Sequence, residues 1–342
     1  MQNWQPPAHW QQITTIEAHT AGEPLRIITS GFPELPGRTI LEKREYARQH
    51  YDHLRRTLMW EPRGHADMYG CILTPPVTAD GDVGVLFMHN EGFSTMCGHG
   101  IIGLVKVGVE TGYFPVQGAQ TVVKNDTPAG RVTATAHLRE DGRVGRVSFL
   151  NVPSFLLERD LQVQVAGLGT VTCDIAFGGA FYAYVDADSV GVEIKPENQQ
   201  RLIDVGMRIK RAVMDSYRIV HPDGNPDLNF LYGTILVKRL TGEIQSRNVC
   251  IFADGEVDRS PTGTGVSGRL AIHHARGELA LNQTITIESL ISTPFTGRVA
   301  ETTRVGDLPA IIPEVGGTAS ITGKHTFVID PDDALAAGFL LR

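Results

Sequence analysis

Phe87 to Gly103 reads FMHNEGFSTMCGHGIIG, and 165 residues later Phe252 to Gly268 reads FADGEVDRSPTGTGVSG. Without a gap, Phe87, Glu91, Gly98, Gly100 and Gly103 coincide with Phe252, Glu256, Gly263, Gly265 and Gly268. This echo predicts two structurally related halves, each with a glycine-rich loop that opens a helix, and a site between them. Both loops also match GxGxxG, which raises the question of a dinucleotide. That use needs a single copy after the first strand of a βαβ unit, with an acidic residue about 20 positions on. Two symmetric copies deep in the chain, with Asp126 in a loop of NDTPAG, fit it badly.

Working outward, alternating β-branched runs separated by glycine turns dominate. Strands are expected at 131–137, 145–151, 161–166, 181–186, 233–238, 284–288 and 326–330. Hairpin turns at Asp141-Gly142 and Thr241-Gly242 punctuate them. Helices are fewer, at 43–56, at 195–214, and after Cys97 and Thr262. Many strands with a few separate helices indicate an α+β fold. The division expected is 1–155 for the first half, with a C-terminal strand at about 325–342 returning to it, and 156–324 for the second.

A length of 342 residues suits two domains at about 150 residues each. With 31 Lys plus Arg against 38 Asp plus Glu, the net charge is -7. No broad basic field is available for nucleic acid. No apolar run approaches the ~18 residues of a membrane-spanning helix, and residues 1–12 show no secretory signal. Cysteines 71, 97, 173 and 250 are widely spaced and read as reduced thiols. The expectation is a soluble cytoplasmic protein.

The chemistry lies in the two loops. Helix N-termini present unpaired N–H groups and the positive end of the helix dipole, which suits an anion. Two such ends converging would hold a small carboxylate. Cys97 stands immediately before the first helix, where a lowered thiol pKa is expected. A thiolate beside a carboxylate suits proton abstraction from the adjacent carbon, or else nucleophilic catalysis. His99 is expected to face the ligand more than the thiol. Ser260 or Thr262 can cap the second helix, and Asp258 is either a turn residue or the receiver of an ammonium group. His19, His65 and His89 form no recognisable metal constellation, Cys71, Cys173 and Cys250 are expected in the core, and His273-His274 is expected to pack.

These loops resemble the paired MCGH and DRSPCGTG motifs of the proline racemase family, as Met96–His99 and Asp258–Gly265. EAHTAGEP at 17–24, EPRGHADMYG at 61–70, His221-Pro222 and FLYG at 230–233 extend the resemblance over most of the chain. The resemblance implies a diaminopimelate-epimerase-like fold, with strands wrapped around a central helix in each of two pseudo-symmetric domains. It implies an active site in the cleft, no cofactor, no metal and a homodimer. Carried over by position, Gly98, His99, Gly263 and Thr264 bind the substrate carboxylate through N–H groups. Asp258, with the His99 side chain, meets the ring nitrogen, and Tyr69 and Phe252 close the ring pocket.

The sequence departs from the racemase pattern at Thr262, where the second thiol would stand. Racemisation needs an acid on each face of the α-carbon, and an unassisted threonine hydroxyl is far weaker than a thiol titrating at about 8.5. The Cys-then-Thr pattern resembles the trans-3-hydroxy-L-proline dehydratases. It implies a hydro-lyase with Cys97 as the base and Thr262 either bonding the substrate or capping its helix. The alternatives are a 4-hydroxyproline 2-epimerase or proline racemase, and a catalytically silent binding protein for a cyclic amino acid.

Overall fold

The computed structural model describes residues 4–242 and 245–341. Its helices are α1 (Ile40–His50), α2 (Asp52–Met59), α3 (Gly98–Glu110), α4 (Gln199–Ser216) and α5 (Gly263–Ala275). Helices α3 and α5 start 165 residues apart and have 13 residues each.

The strands repeat the same succession of pairings. Gln11–Thr20 lies antiparallel to Glu23–Ser30, which runs parallel to Tyr69–Thr74. That strand is antiparallel to Val83–His89, which meets Gln120–Thr127 in parallel. An antiparallel meander through Gly130–Leu138 and Val144–Leu150 follows. In the second half Gly169–Phe177, Phe181–Asp186, Leu231–Arg239, Ser246–Phe252, Thr284–Glu288, Pro294–Val305 and Leu308–Gly317 reproduce every parallel and antiparallel step. The halves join where Val144–Leu150 pairs antiparallel with Leu308–Gly317. Phe155–Val165 flanks Gly169–Phe177, and Ala319–Ile329 occupies the corresponding place beside Gln11–Thr20.

Each half rolls its sheet around one central helix. Helix α3 is buried from Gly98 to Val109, and α5 is buried from Gly263 to Ile272. The glycine-rich sequence of α3 is a poor helix former by propensity. Burial on every face holds it helical, as in any helix that is apolar all round.

Several boundaries differ from the sequence expectation. The run 43–56 forms two helices that break at Tyr51. The run 195–214 opens as a tight 3-10 turn at Pro196–Asn198 before α4 begins. The strand expected at 326–330 is the end of a longer one beginning at Ala319. Tyr69–Thr74 and Val83–His89 carry no alternating pattern because both of their faces are buried.

Candidate active site

The first turns of α3 and α5 meet head to head. A Cβ built on Gly98 would lie 2.5 Å from the Gly263 Cα, and one built on Gly263 would lie 2.7 Å from the Gly98 Cα. Only glycine permits this approach. Among the described residues, no acceptor is found for the N–H groups of Gly98, His99, Gly263 and Thr264. Four donors and two helix dipoles therefore converge, an arrangement suited to one carboxylate.

The convergence opens into a small, tightly lined cavity. Cys97, Gly98, His99, Gly263, Thr264, Asp258 and Thr262 line it, and Tyr69 and Phe252 form part of an aromatic wall. Tyr69 meets His99 edge-on at 4.7 Å and donates its hydroxyl to Ser94 Oγ at 2.6 Å. Behind this wall His89 stacks on Tyr69 and bonds Glu256 at 3.0 Å, tying one half to the other.

The sequence reading missed Met96, Tyr182, Tyr232 and Cys250 on this lining. Tyr182 shares a hydrogen bond of 2.7 Å with Thr264 Oγ1, and Tyr232 stacks on Phe252 at 5.3 Å. Cys250 is buried as expected, yet it also borders the cavity. A usable signal existed: Cys250 lies two residues before Phe252 on the strand Ser246–Phe252 and so shares its face.

The two helix caps differ. Cys97 has extended backbone and accepts the Gly100 N–H on its Sγ at 3.2 Å. Its sulfur also lies 3.2 Å from His99 Nδ1, so this imidazole addresses the thiol, contrary to the sequence expectation. Thr262 stands at φ 66°, where a β-branched residue is strained by about 1–3 kcal/mol. Its hydroxyl makes no cap bond to α5 and instead donates to Asp258 Oδ2 at 2.9 Å. The other Asp258 oxygen accepts the Ser260 N–H at 2.7 Å.

Burial reverses the expected direction for Cys97. Desolvation, reinforced by Asp258 and Glu23, pushes the thiol well above its ordinary range and outweighs the Gly100 N–H. Burial also lowers His99, which favours the neutral imidazole. The same effect raises Cys250. Glu23, fully buried, accepts the Arg259 N–H at 2.7 Å, while its Oε1 finds no partner among the described residues. Burial, with Asp258 nearby, holds this carboxyl well above the usual carboxylate range. Arg259 also pairs with Asp67 at 2.9 Å, so two first-half residues clasp the loop that carries Asp258.

A family model described as proline racemase matches residues 15–340. This chain belongs to the proline racemase family. A trans-3-hydroxy-L-proline dehydratase from Colwellia psychrerythraea is 50% identical, covering 100% of this chain and 97% of the relative. Within the same similarity range, a 3-hydroxyproline 2-epimerase from Burkholderia multivorans is 46% identical, covering 97% of this chain and 99% of the relative. The crystal structure of a hydroxyproline epimerase from Agrobacterium vitis, with bound trans-4-hydroxy-L-proline, superposes with a TM-score of 0.92. It is 30% identical, and the match covers 98% of this chain and 96% of that one. The fold is thus the diaminopimelate-epimerase-like α+β fold of the proline racemase family. No helix among the described residues is long and apolar enough to cross a membrane.

Proposed function

We propose that this chain is a trans-3-hydroxy-L-proline dehydratase, a hydro-lyase that works without a cofactor. The dehydratase relative, matched along its full length, supports the substrate. The observation that carries the mechanism is the asymmetry of the two caps, with a thiol on one and a strained threonine bonded to Asp258 on the other. In the trans isomer the 3-hydroxyl lies opposite the carboxylate, on the same ring face as the α-hydrogen. One base on that face therefore serves a syn elimination.

The substrate carboxylate sits on the N–H groups of Gly98, His99, Gly263 and Thr264, and Asp258 receives the ring ammonium. Tyr69 and Phe252 flank the ring. The Cys97 thiolate, with His99 Nδ1 3.2 Å away, takes the α-proton. The N–H groups stabilise the charge that develops on the carboxylate as the α-carbon loses its proton. The α-carbon electron pair forms the ring double bond as the C–O bond breaks, and hydroxide leaves as water with a proton from the Cys97 thiol. The enamine then tautomerises to Δ1-pyrroline-2-carboxylate. Thr262 holds Asp258 in place.

In this reading residues 1–155 with the C-terminal strand, and 156–324, are the two halves that enclose the substrate. The four buried, unpaired thiols favour the cytoplasm, a reducing compartment. A homodimer follows from the family resemblance alone.

The second reading is a 2-epimerase, favoured by the Burkholderia multivorans relative and by the Cys250 thiol in the cavity wall beside Thr262. Incubation with trans- and cis-3-hydroxy-L-proline, followed by proton NMR, separates the two. Loss of the trans isomer to Δ1-pyrroline-2-carboxylate, with the cis isomer untouched, is expected. An interconverted 2-epimer with the hydroxyl retained would replace the dehydratase reading with the epimerase one.

A further inference from the structure

The internal repeat produces a second pair of equivalent places, and most of their lining has diverged. On the outer side of each central helix the wrapped sheet leaves an opening, the larger of the two at α5. Leu104, Val107, Gly108, Thr111 and Tyr113 line the first. At the same places, 165 residues on, the second has Arg269, Ile272, His273, Arg276 and Glu278. Leu104, Gly108, Thr111 and Tyr113, all uncharged, are thus matched by Arg269, His273, Arg276 and Glu278, while Val107 is matched by Ile272.

Arg269 is the informative residue. It is 8% exposed and lines the α5 opening. Its Nε donates to His273 Nε2 at 3.0 Å, and its Nη groups form no hydrogen bond or ion pair among the described residues. The neighbouring carboxylates are already engaged. Arg276 holds Asp160 at 2.7 Å and Asp174 at 2.8 Å, and His273 Nδ1 meets Glu278 at 2.7 Å. His273, expected to pack, instead links Arg269 to Glu278. A buried guanidinium without a carboxylate is costly, and the α3 half shows that the fold itself accepts leucine there.

We propose that the opening beside α5 is a binding site for a small monocarboxylate, received end-on by the two Nη groups of Arg269. The planar fork of guanidinium matches a carboxylate bidentately. Arg239, also on the lining, is paired with Glu278 at 4.0 Å, which leaves Arg269 as the receiving group. Asp160, Asp174, Asp186 and Glu278 around the same opening disfavour a dianion, which selects carboxylate over phosphate. The site lies on the half of α5 away from the cleft and uses none of the residues placed there.

The test uses the 15N-labelled full chain titrated with sodium propionate at constant ionic strength. The Arg269 Nε–H resonance is assigned by its absence in R269L, which installs the residue type of Leu104, or in R269K if R269L does not fold. A saturable shift is expected with propionate, a smaller one with inorganic phosphate, and none with sodium chloride alone. No shift with propionate, a chloride effect of equal size, or a stronger response to phosphate would each overturn the proposal. R269L is expected to retain elimination of trans-3-hydroxy-L-proline within about twofold. Collapse of that activity in a folded R269L would make Arg269 a support of the cleft and overturn the separate site.

Discussion

Cys97 and Thr262 begin helices that occupy equivalent places in the two halves, yet they are held in opposite ways. Cys97 keeps an extended backbone, accepts a helix N–H and lies against His99. Thr262 adopts a left-handed backbone, leaves its helix uncapped by its side chain and turns to Asp258. The duplicated scaffold supplies the same donors to a carboxylate from both sides. In the proposed mechanism, chemistry on the α-carbon is supplied from one side only. On that proposal symmetry builds the binding site, and a local break in symmetry sets the reaction.

The largest effect should come from removing the thiol. C97S is expected to lower kcat for elimination by at least ~10³-fold while the substrate still binds, as loss of a general base requires. Binding is checked by calorimetry on the variant, and near-normal turnover would remove Cys97 from the role of base. Next, T262C restores symmetry across the cleft. It should produce or raise α-epimerisation on the order of 10²-fold, read as the D-configured 2-epimer by chiral chromatography. No gain would mean that a facing thiol does not suffice in this cleft.

A smaller effect is expected at Glu23. E23Q keeps a hydrogen-bond acceptor for the Arg259 N–H and should change kcat/KM only a few-fold, whereas E23A should lose about tenfold or more. Equal losses in the two variants would indicate that the carboxyl contributes as a charge. The mildest test is pH. In the proposed mechanism the reactive form of Cys97 is deprotonated, and burial raises the thiol, so the rising limb of activity should move upward. The kcat/KM profile should still climb above the ordinary thiol pKa of about 8.5. A plateau already reached below pH 7 would instead indicate a thiolate stabilised by the helix terminus.

Much of this molecule was legible in its sequence because duplication leaves a register. Phe87–Gly103 and Phe252–Gly268 located both central helices, and Cys97, Gly98 and His99 from the first meet Asp258, Thr262, Gly263 and Thr264 from the second at one cavity. Thr284–Glu288, with alternate positions partly exposed, was readable to the residue; Phe181–Asp186, buried up to its last residue, was readable from its aromatic and β-branched residues after a glycine turn. Tyr69–Thr74 and Val83–His89 were not, since strands buried on both faces lose their alternation. At the site, residue types were readable while their electrostatics were not. Sequence shows Cys97 at a helix start but not the enclosure that raises its pKa, nor the 3.2 Å approach of His99. Tyr182 comes from a strand distant in sequence, and only the wrapped sheet brings it to the cleft.

The most direct measurement is proton NMR of the purified protein with trans-3-hydroxy-L-proline in D2O. One thiol working on one face predicts that the ring signals give way to those of Δ1-pyrroline-2-carboxylate. Deuterium accumulating at the α-carbon of a substrate that keeps its hydroxyl, with a 2-epimer building up, would contradict it.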